Sequence, residues 1–225
     1  MRVTLSGTED IAIETRGSIP EEIARAIVGP GLVPEASHGF ATVELLVTSI
    51  KDLKPIDQPI PGISIPGMDY KEALWRVGVI FEGQPAWFVK ACDIDGTLVR
   101  ISAKLMIRYP IREARITLGF DSWRATARID IGGMSLAIDA IAMPDRPEAL
   151  PPRRALVRDA GAVYEIPWQE RAAPTRANAK INLQDGLAEA TLGCAVAWSG
   201  EAVIHRQRTH RCGLATAVPG QSVRG

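Results

Sequence analysis

Residues 93–116, DIDGTLVRISAKLMIRYPIREARI, carry the reading that decides the fold. Leu98, Ile101 and Leu105 recur at helical spacing, and Arg100, Lys104 and Arg108 form a second stripe at i, i+4 and i+8. The spacing predicts a helix over 97–108 with one apolar and one basic face. Asp95 or Thr97 supplies an oxygen for the free N–H groups of its first turn. Pro110 ends it, because the residue before a proline is driven out of the α region. Tyr109-Pro110-Ile111-Arg112 therefore stands where a helix hands the chain to a strand.

On either side of this segment the sequence is that of a β protein. Short runs rich in Val, Ile and aromatics alternate with turn dipeptides at Glu82-Gly83, Gly132-Gly133, Ala160-Gly161, Asp185-Gly186 and Ser199-Gly200. ARITLGF, SWRATARIDI, MSLAIDAIAM and EAVIHRQRTHR read as strands, the second alternating through Trp123, Ala125, Ala127 and Ile129. Ser18-Ile19-Pro20-Glu21 has the form of a capping box opening a helix that runs to about Val28. The run 183–195 fits a third helix or a strand equally well. The expected fold is mostly β, of the α+β kind: a single antiparallel β-barrel or sandwich domain over residues 1–225, with two or three short helices. The proline-rich stretches 55–67 and 144–152 read as internal loops, because apolar strands resume after each.

Composition removes several function classes. Lys plus Arg and Asp plus Glu are 26 each, so no net field draws the chain to nucleic acid or to an anionic membrane. The start, MRVTLSGTEDIAI, has no basic segment leading into a long apolar one, and no stretch nears the roughly 20 apolar residues that span a bilayer. A soluble, cytoplasmic protein with no membrane partner is expected. Cys92, Cys194 and Cys212 are odd in number and widely spaced, which suits neither a disulfide framework nor zinc. His205 and His210 would point to opposite faces of a regular strand, so no metal is expected, and no cofactor motif is present. The sequence leaves the oligomeric state open, a homo-oligomer included.

The segment at 104–112 resembles the acetoacetate decarboxylase superfamily, in which a helix leads into Phe-Pro-Lys-Lys and the first lysine of the pair is the Schiff-base nucleophile. Tyr109-Pro110 matches the Phe-Pro, Lys104 an arginine of the family's helix, and Arg112 the second lysine. Ile111 falls on the nucleophile. Upstream, Tyr70-Lys71-Glu72-Ala73 before VGVIFEGQPAWFV is similar to the family's Tyr-x-Glu strand and hairpin. SIPEEIARAIVGPGLVP resembles its early helix, and ATVELLVTSI its next strand with Glu44 near a second family glutamate. The likeness covers roughly residues 9–120 and is closest to superfamily members without the Schiff-base lysine.

The resemblance implies a barrel cavity that takes a small organic acid, with a keto group, as its partner. Glu72 inherits an active-site role, and Arg112 is placed to hold a carboxylate, since a guanidinium meets that group through two parallel hydrogen bonds. Glu72 and Arg112 are accordingly expected to be neighbours. Glu44, Tyr70, Trp87, Lys104, Tyr109 and Ile111 are the expected ligand-binding residues. Each has a plain alternative: the basic stripe as a wet helix face, the carboxylates as ordinary strand positions, the tryptophans as core anchors. A Schiff base relocated to Lys90 or Lys104 competes with a surface lysine at each position. Two functions remain: a lyase-like enzyme acting on such an acid without a Schiff base, with decarboxylation of acetoacetate unexpected, and a non-catalytic binding or accessory protein that keeps the cavity.

Overall fold

The computed structural model describes residues 4–56, 66–97, 99–101, 108–143, 153–170 and 175–219, with backbone alone at 168–170 and 175–176. In chain order the elements are β1 (Thr4–Pro20), α1 (Glu21–Val28), β2 (Val33–Pro34), β3 (Ala36–Ser37), β4 (Phe40–Pro55), β5 (Met68–Phe81) and β6 (Gln84–Asp95). There follow β7 (Ile111–Glu113), β8 (Arg115–Asp121), β9 (Arg124–Ile131), β10 (Met134–Ala142), β11 (Arg154–Asp159), β12 (Ala162–Ile166) and β13 (Trp168–Glu170). The last are β14 (Thr175–Asp185), α2 (Ala188–Leu192), β15 (Ala197–Gly213) and β16 (Thr216–Ala217). All the strands join one sheet whose main path runs β16-β12-β11-β6-β5-β4-β1-β15-β14-β10-β9-β8. Pairing is antiparallel except where β11 and β7 flank β6 in parallel.

The sheet curls. β8 comes back over β5 and β6, where Lys71 Nζ donates to the Ile116 carbonyl and the Ile116 N–H donates to Asp95. The central strands are therefore covered on both faces, which is why 43–50 of β4 is buried without a break. One face packs Ile13, Leu45, Val47, Trp75 and Val77 against Ile116, Ile129, Leu136 and Ile138 of the curled-over hairpins. The other packs Ala12, Leu46, Ile50, Leu74 and Val89 against Tyr109, Val157, Ile166 and Cys212.

Three of the expected turn dipeptides, Glu82-Gly83, Gly132-Gly133 and Ala160-Gly161, have both residues at positive φ, the two-residue hairpin that suits the strand twist. Asp185-Gly186 does something else: Asp185 Oδ1 accepts from the N–H groups of Leu187 and Ala188 at 2.9 and 2.8 Å and starts α2. The 183–195 run is thus the end of a strand followed by a helix.

Three expectations change. Ser18 is not a helix cap, because Ser18 and Pro20 are paired with Thr42 and Phe40 and the backbone stays extended to Pro20. Trp123 is not a core anchor; at the β8–β9 turn it is 57% exposed. His205 and His210 share a face, because Gln207 between them takes a φ of 50°, opposite the point where β1 shifts register against β4 between Glu9 and Ile11. The predicted helix over 97–108 is helical at 97 and 99–101, and 102–107, with Lys104, lie outside the described residues. Among the described residues no helix is long and apolar enough to cross a membrane.

Candidate functional site

The second face of the central sheet carries an unusual load of titratable groups. Register explains how they meet. One row across the sheet runs Arg16, Glu44, Arg76; the next runs Val203, Glu14, Leu46, Leu74, Cys92, Ile111; a third runs His205, Ala12, Thr48, Glu72, Ile94. Beyond the bulge of β1, Glu9 pairs with Arg208 and Gly7 with His210 on the same face. Glu9, Glu44, Thr48, Glu72, Arg76, His205, Arg208 and His210 are all buried. Burying this many polar groups is costly unless they satisfy one another, and most of them do.

At one end lies a network of two carboxyls and two guanidiniums. Arg16 donates through Nη2 to Glu14 at 2.8 Å and through Nε to Glu44 at 2.9 Å, and Arg76 donates to the second Glu44 oxygen. His205 Nε2 lies 3.2 Å from Glu14. The Trp87 ring supports the cluster, with Arg16, Arg76 and Arg153 stacked at 5.5, 5.4 and 4.6 Å from its centroid. Burial drives the Glu44 carboxyl up to about 7 despite the Arg76 charge, with the neighbouring Glu14 adding to the rise. For Glu14 burial acts in the same direction, but hydrogen bonding to His205, the Arg76 charge and the hydrogen bond with Glu44 outweigh it and hold that carboxyl below its usual range.

The other end is nearly neutral. Glu72 is 3% exposed, and the Cys92 thiol donates to its Oε2 at 3.8 Å. Burial, reinforced by the negative charge of Glu9, pushes the Glu72 carboxyl up to about 8, against smaller opposing effects of Cys92 and Arg76. It therefore carries a proton at neutral pH. Around it, burial raises the Tyr70 and Tyr109 hydroxyls and the Cys92 thiol well above their ordinary values and Cys212 to about 12. Burial likewise lowers His210 to about 4. Glu9 is the ionised member: burial alone would raise it, but the Arg208 charge and hydrogen bonds bring it down.

The structure gathers Glu44, Tyr70, Glu72, Trp87, Tyr109 and Ile111 on this face, and it does not bring Arg112 to Glu72. Arg112 is partnered by Asp93, its Nε and Nη2 donating at 2.6 and 3.0 Å, and it also donates to Thr191 Oγ1 of α2 at 3.0 Å. Asp93 pairs with Ala73 and accepts from Trp75 Nε1 at 2.8 Å, all on the apolar face. Glu72 is the next residue along β5, so strand alternation turns it the other way. The buried carboxylate that Arg112 needs is present, but it is Asp93. Glu9, Glu14, Arg16, Arg76, His205 and Arg208 were not singled out from the sequence as ligand residues; the signal available was a charge at alternate positions of β1 and β15, legible only once register is known.

Lys90 sits half-buried at a bulge of β6, where Trp75 pairs with Ala91 and Arg76 with Val89, and among the described residues no lysine is buried. A cleft of 320 Å³ opens beside the arginine end, lined by Glu14, Arg16, Met143, Asn178, Ala179, Ser199, Glu201, Ala202 and Val203. Among the described residues no cluster of three His, Cys, Asp or Glu side chains is arranged to hold a metal ion.

No family model matches the sequence. No curated protein matches it either. Solved structures do. An acetoacetate decarboxylase-like enzyme from Sphingomonas wittichii RW1 superposes with a TM-score of 0.70 at 14% identity, covering 96% of this chain and 92% of that one. The acetoacetate decarboxylase of Legionella pneumophila gives 0.72 at 10% identity over 95% and 86% of the two chains. The enduracididine biosynthesis enzyme MppR, in complex with pyruvate, gives 0.66 at 14% identity over 96% and 90%. At these identities the likeness speaks for the fold, and the curled β sheet described above is an acetoacetate decarboxylase-like fold.

Proposed function

We propose that this chain is a lyase-like enzyme acting on a small organic or keto acid without a Schiff-base lysine. The observation that carries the reading is Glu72, a protonated carboxyl buried on the same sheet face as a paired-arginine cluster. A neutral acid in a dry, apolar-walled site is equipped to deliver a proton to a carbonyl or enolate, and to take one back, near neutral pH. Positive charge for the ligand's carboxylate comes from Arg16 and Arg76, with Trp87, Tyr70 and Tyr109 as walls. Arg112, tied to Asp93, braces β7 and α2 and takes no part in this reading.

One observation supports the absence of covalent catalysis. Ile111, at the family's nucleophile position, is on the row of Cys92 and packs against the buried cluster around Glu72. An isoleucine has no amine with which to attack a carbonyl. MppR, a structural neighbour, is a protein that binds pyruvate, which makes pyruvate the first probe. The second reading, a non-catalytic binding protein, is favoured by the same isoleucine and needs only the cavity.

A panel of two- to five-carbon keto acids, followed by thermal shift and by NMR for turnover, tests both. A ligand that binds the native state raises its apparent melting temperature. The enzyme reading expects stabilisation together with conversion that falls about 100-fold or more in Glu72→Gln. Stabilisation without conversion in any member of the panel would leave the binding protein. No stabilisation by any of them would overturn both.

A further inference from the structure

Glu14 and Glu44 stand on adjacent strands and share one guanidinium, Arg16, at 2.8 and 2.9 Å. Through that shared guanidinium they are near enough for each to influence the titration of the other. Two carboxylates this close do not ionise independently, so the pair is a natural place for one proton. Only Glu14 reaches the 320 Å³ cleft; Glu44, fully buried, lies behind it. From this geometry we infer that Glu14 and Glu44 form a single proton-holding unit, in which Glu14 exchanges the proton with an organic acid seated in the cleft and Glu44 stores it.

The surroundings are set for that task. Arg16 on β1 and Arg76 on β5 offset the charge when both carboxyls are ionised. His205 on β15 fixes the orientation of Glu14. Glu201 of β15 and Asn178 of β14 line the cleft, while Arg153, paired with Glu35, stacks on Trp87. Titration of Glu44 close to neutrality lets the unit work in both directions. With the pair ionised, Glu14 removes a proton from the carbon next to the ligand's keto group; the C–H electrons move to the carbonyl oxygen as an enolate, and the proton passes to Glu44. The reverse returns it. Glu14 is thus a further catalytic residue of the proposed reaction, and His205 a positioning residue.

This inference rests on the proposed function, and two measurements separate their fates. The first needs no ligand: ¹³C NMR of glutamate carboxyls, titrated from acid to alkaline pH, with Glu72→Gln to assign that residue. The expected result is two resonances that move together through one proton near neutrality, with the Glu44 midpoint lowered by about one unit or more in Glu14→Gln. If that variant does not fold, the coupled titration in the unaltered protein decides alone. All remaining glutamates ionising at ordinary acidic values would overturn the inference.

The second is deuterium exchange into the methyl group of pyruvate, with binding followed by thermal shift. Exchange should rise as pH passes through the titration of the pair and fall about 100-fold in Glu14→Gln, with pyruvate still bound. Bound pyruvate that does not exchange, or exchanges equally in Glu14→Gln, overturns the inference and leaves the ligand class standing. Pyruvate that does not bind overturns the inference too, and the wider acid panel then judges the proposed function by itself.

Discussion

Neighbouring residues of β5 face opposite worlds. Ala73, Trp75 and Val77 turn toward an apolar core, whereas Glu72 and Arg76 turn toward a buried layer of acids, bases, thiols and phenols. The same strand serves both because alternate side chains project to opposite faces, and because the sheet curls far enough to cover each. On the first face burial itself supplies the stabilisation. On the second each buried group needs a partner or a proton, and where the hydrogen-bond donor is only a thiol, as for Glu72, the proton is kept.

The contrast is open to direct attack. The largest loss should come from the apolar face: Trp75→Ala empties a fully packed position and removes the indole donor of Asp93, and is expected to cost about 3–5 kcal/mol in denaturant unfolding. Next is the ion pair of the polar face. Arg208→Met leaves Glu9 charged and buried, at about 3 kcal/mol, and the double variant with Glu9→Gln should recover much of that loss. A Trp75 variant milder than the Arg208 one would reverse the assignment of roles.

Glu72→Gln sharpens the comparison through pH. The folded carboxyl titrates at about 8 and the unfolded one near its ordinary 4.5. Between those values the native state holds the extra proton, so stability present at acidic pH is lost as pH rises, by up to about 1.4 kcal/mol per unit. Unfolding midpoints measured across that window should slope downward in the parent and flatten in Glu72→Gln; equal slopes would show that Glu72 is not held protonated. The smallest effect belongs to neither face. Arg100 and Arg108 pair with Glu113 and Asp159 near solvent, and Arg100→Gln should change stability by about 0.5 kcal/mol or less.

The sequence was most legible where local chemistry and global fold agree. Turn dipeptides and alternating strands from 115 to 142 are where the pattern puts them, and Tyr109-Pro110-Ile111 does lead into a strand. Glu72 and Glu44 could be singled out because each interrupts an apolar strand. The rest depended on register. Nothing local reveals that Arg112 meets Asp93 across a parallel pair instead of Glu72, or that a positive φ at Gln207 brings His205 and His210 to one face. Glu14 and Arg16 sit in a long strand of mixed polarity, and only their neighbours on β4 and β15 make them part of a network.

The polar face is proposed to hold a small keto acid without covalent attachment. Intact mass of the protein after borohydride treatment with saturating pyruvate, alongside a thermal shift showing that pyruvate is bound, tests it most directly. The expected result is a raised melting temperature and an unchanged mass. A mass increase of one reduced pyruvate, lost on substitution of a lysine, would contradict it.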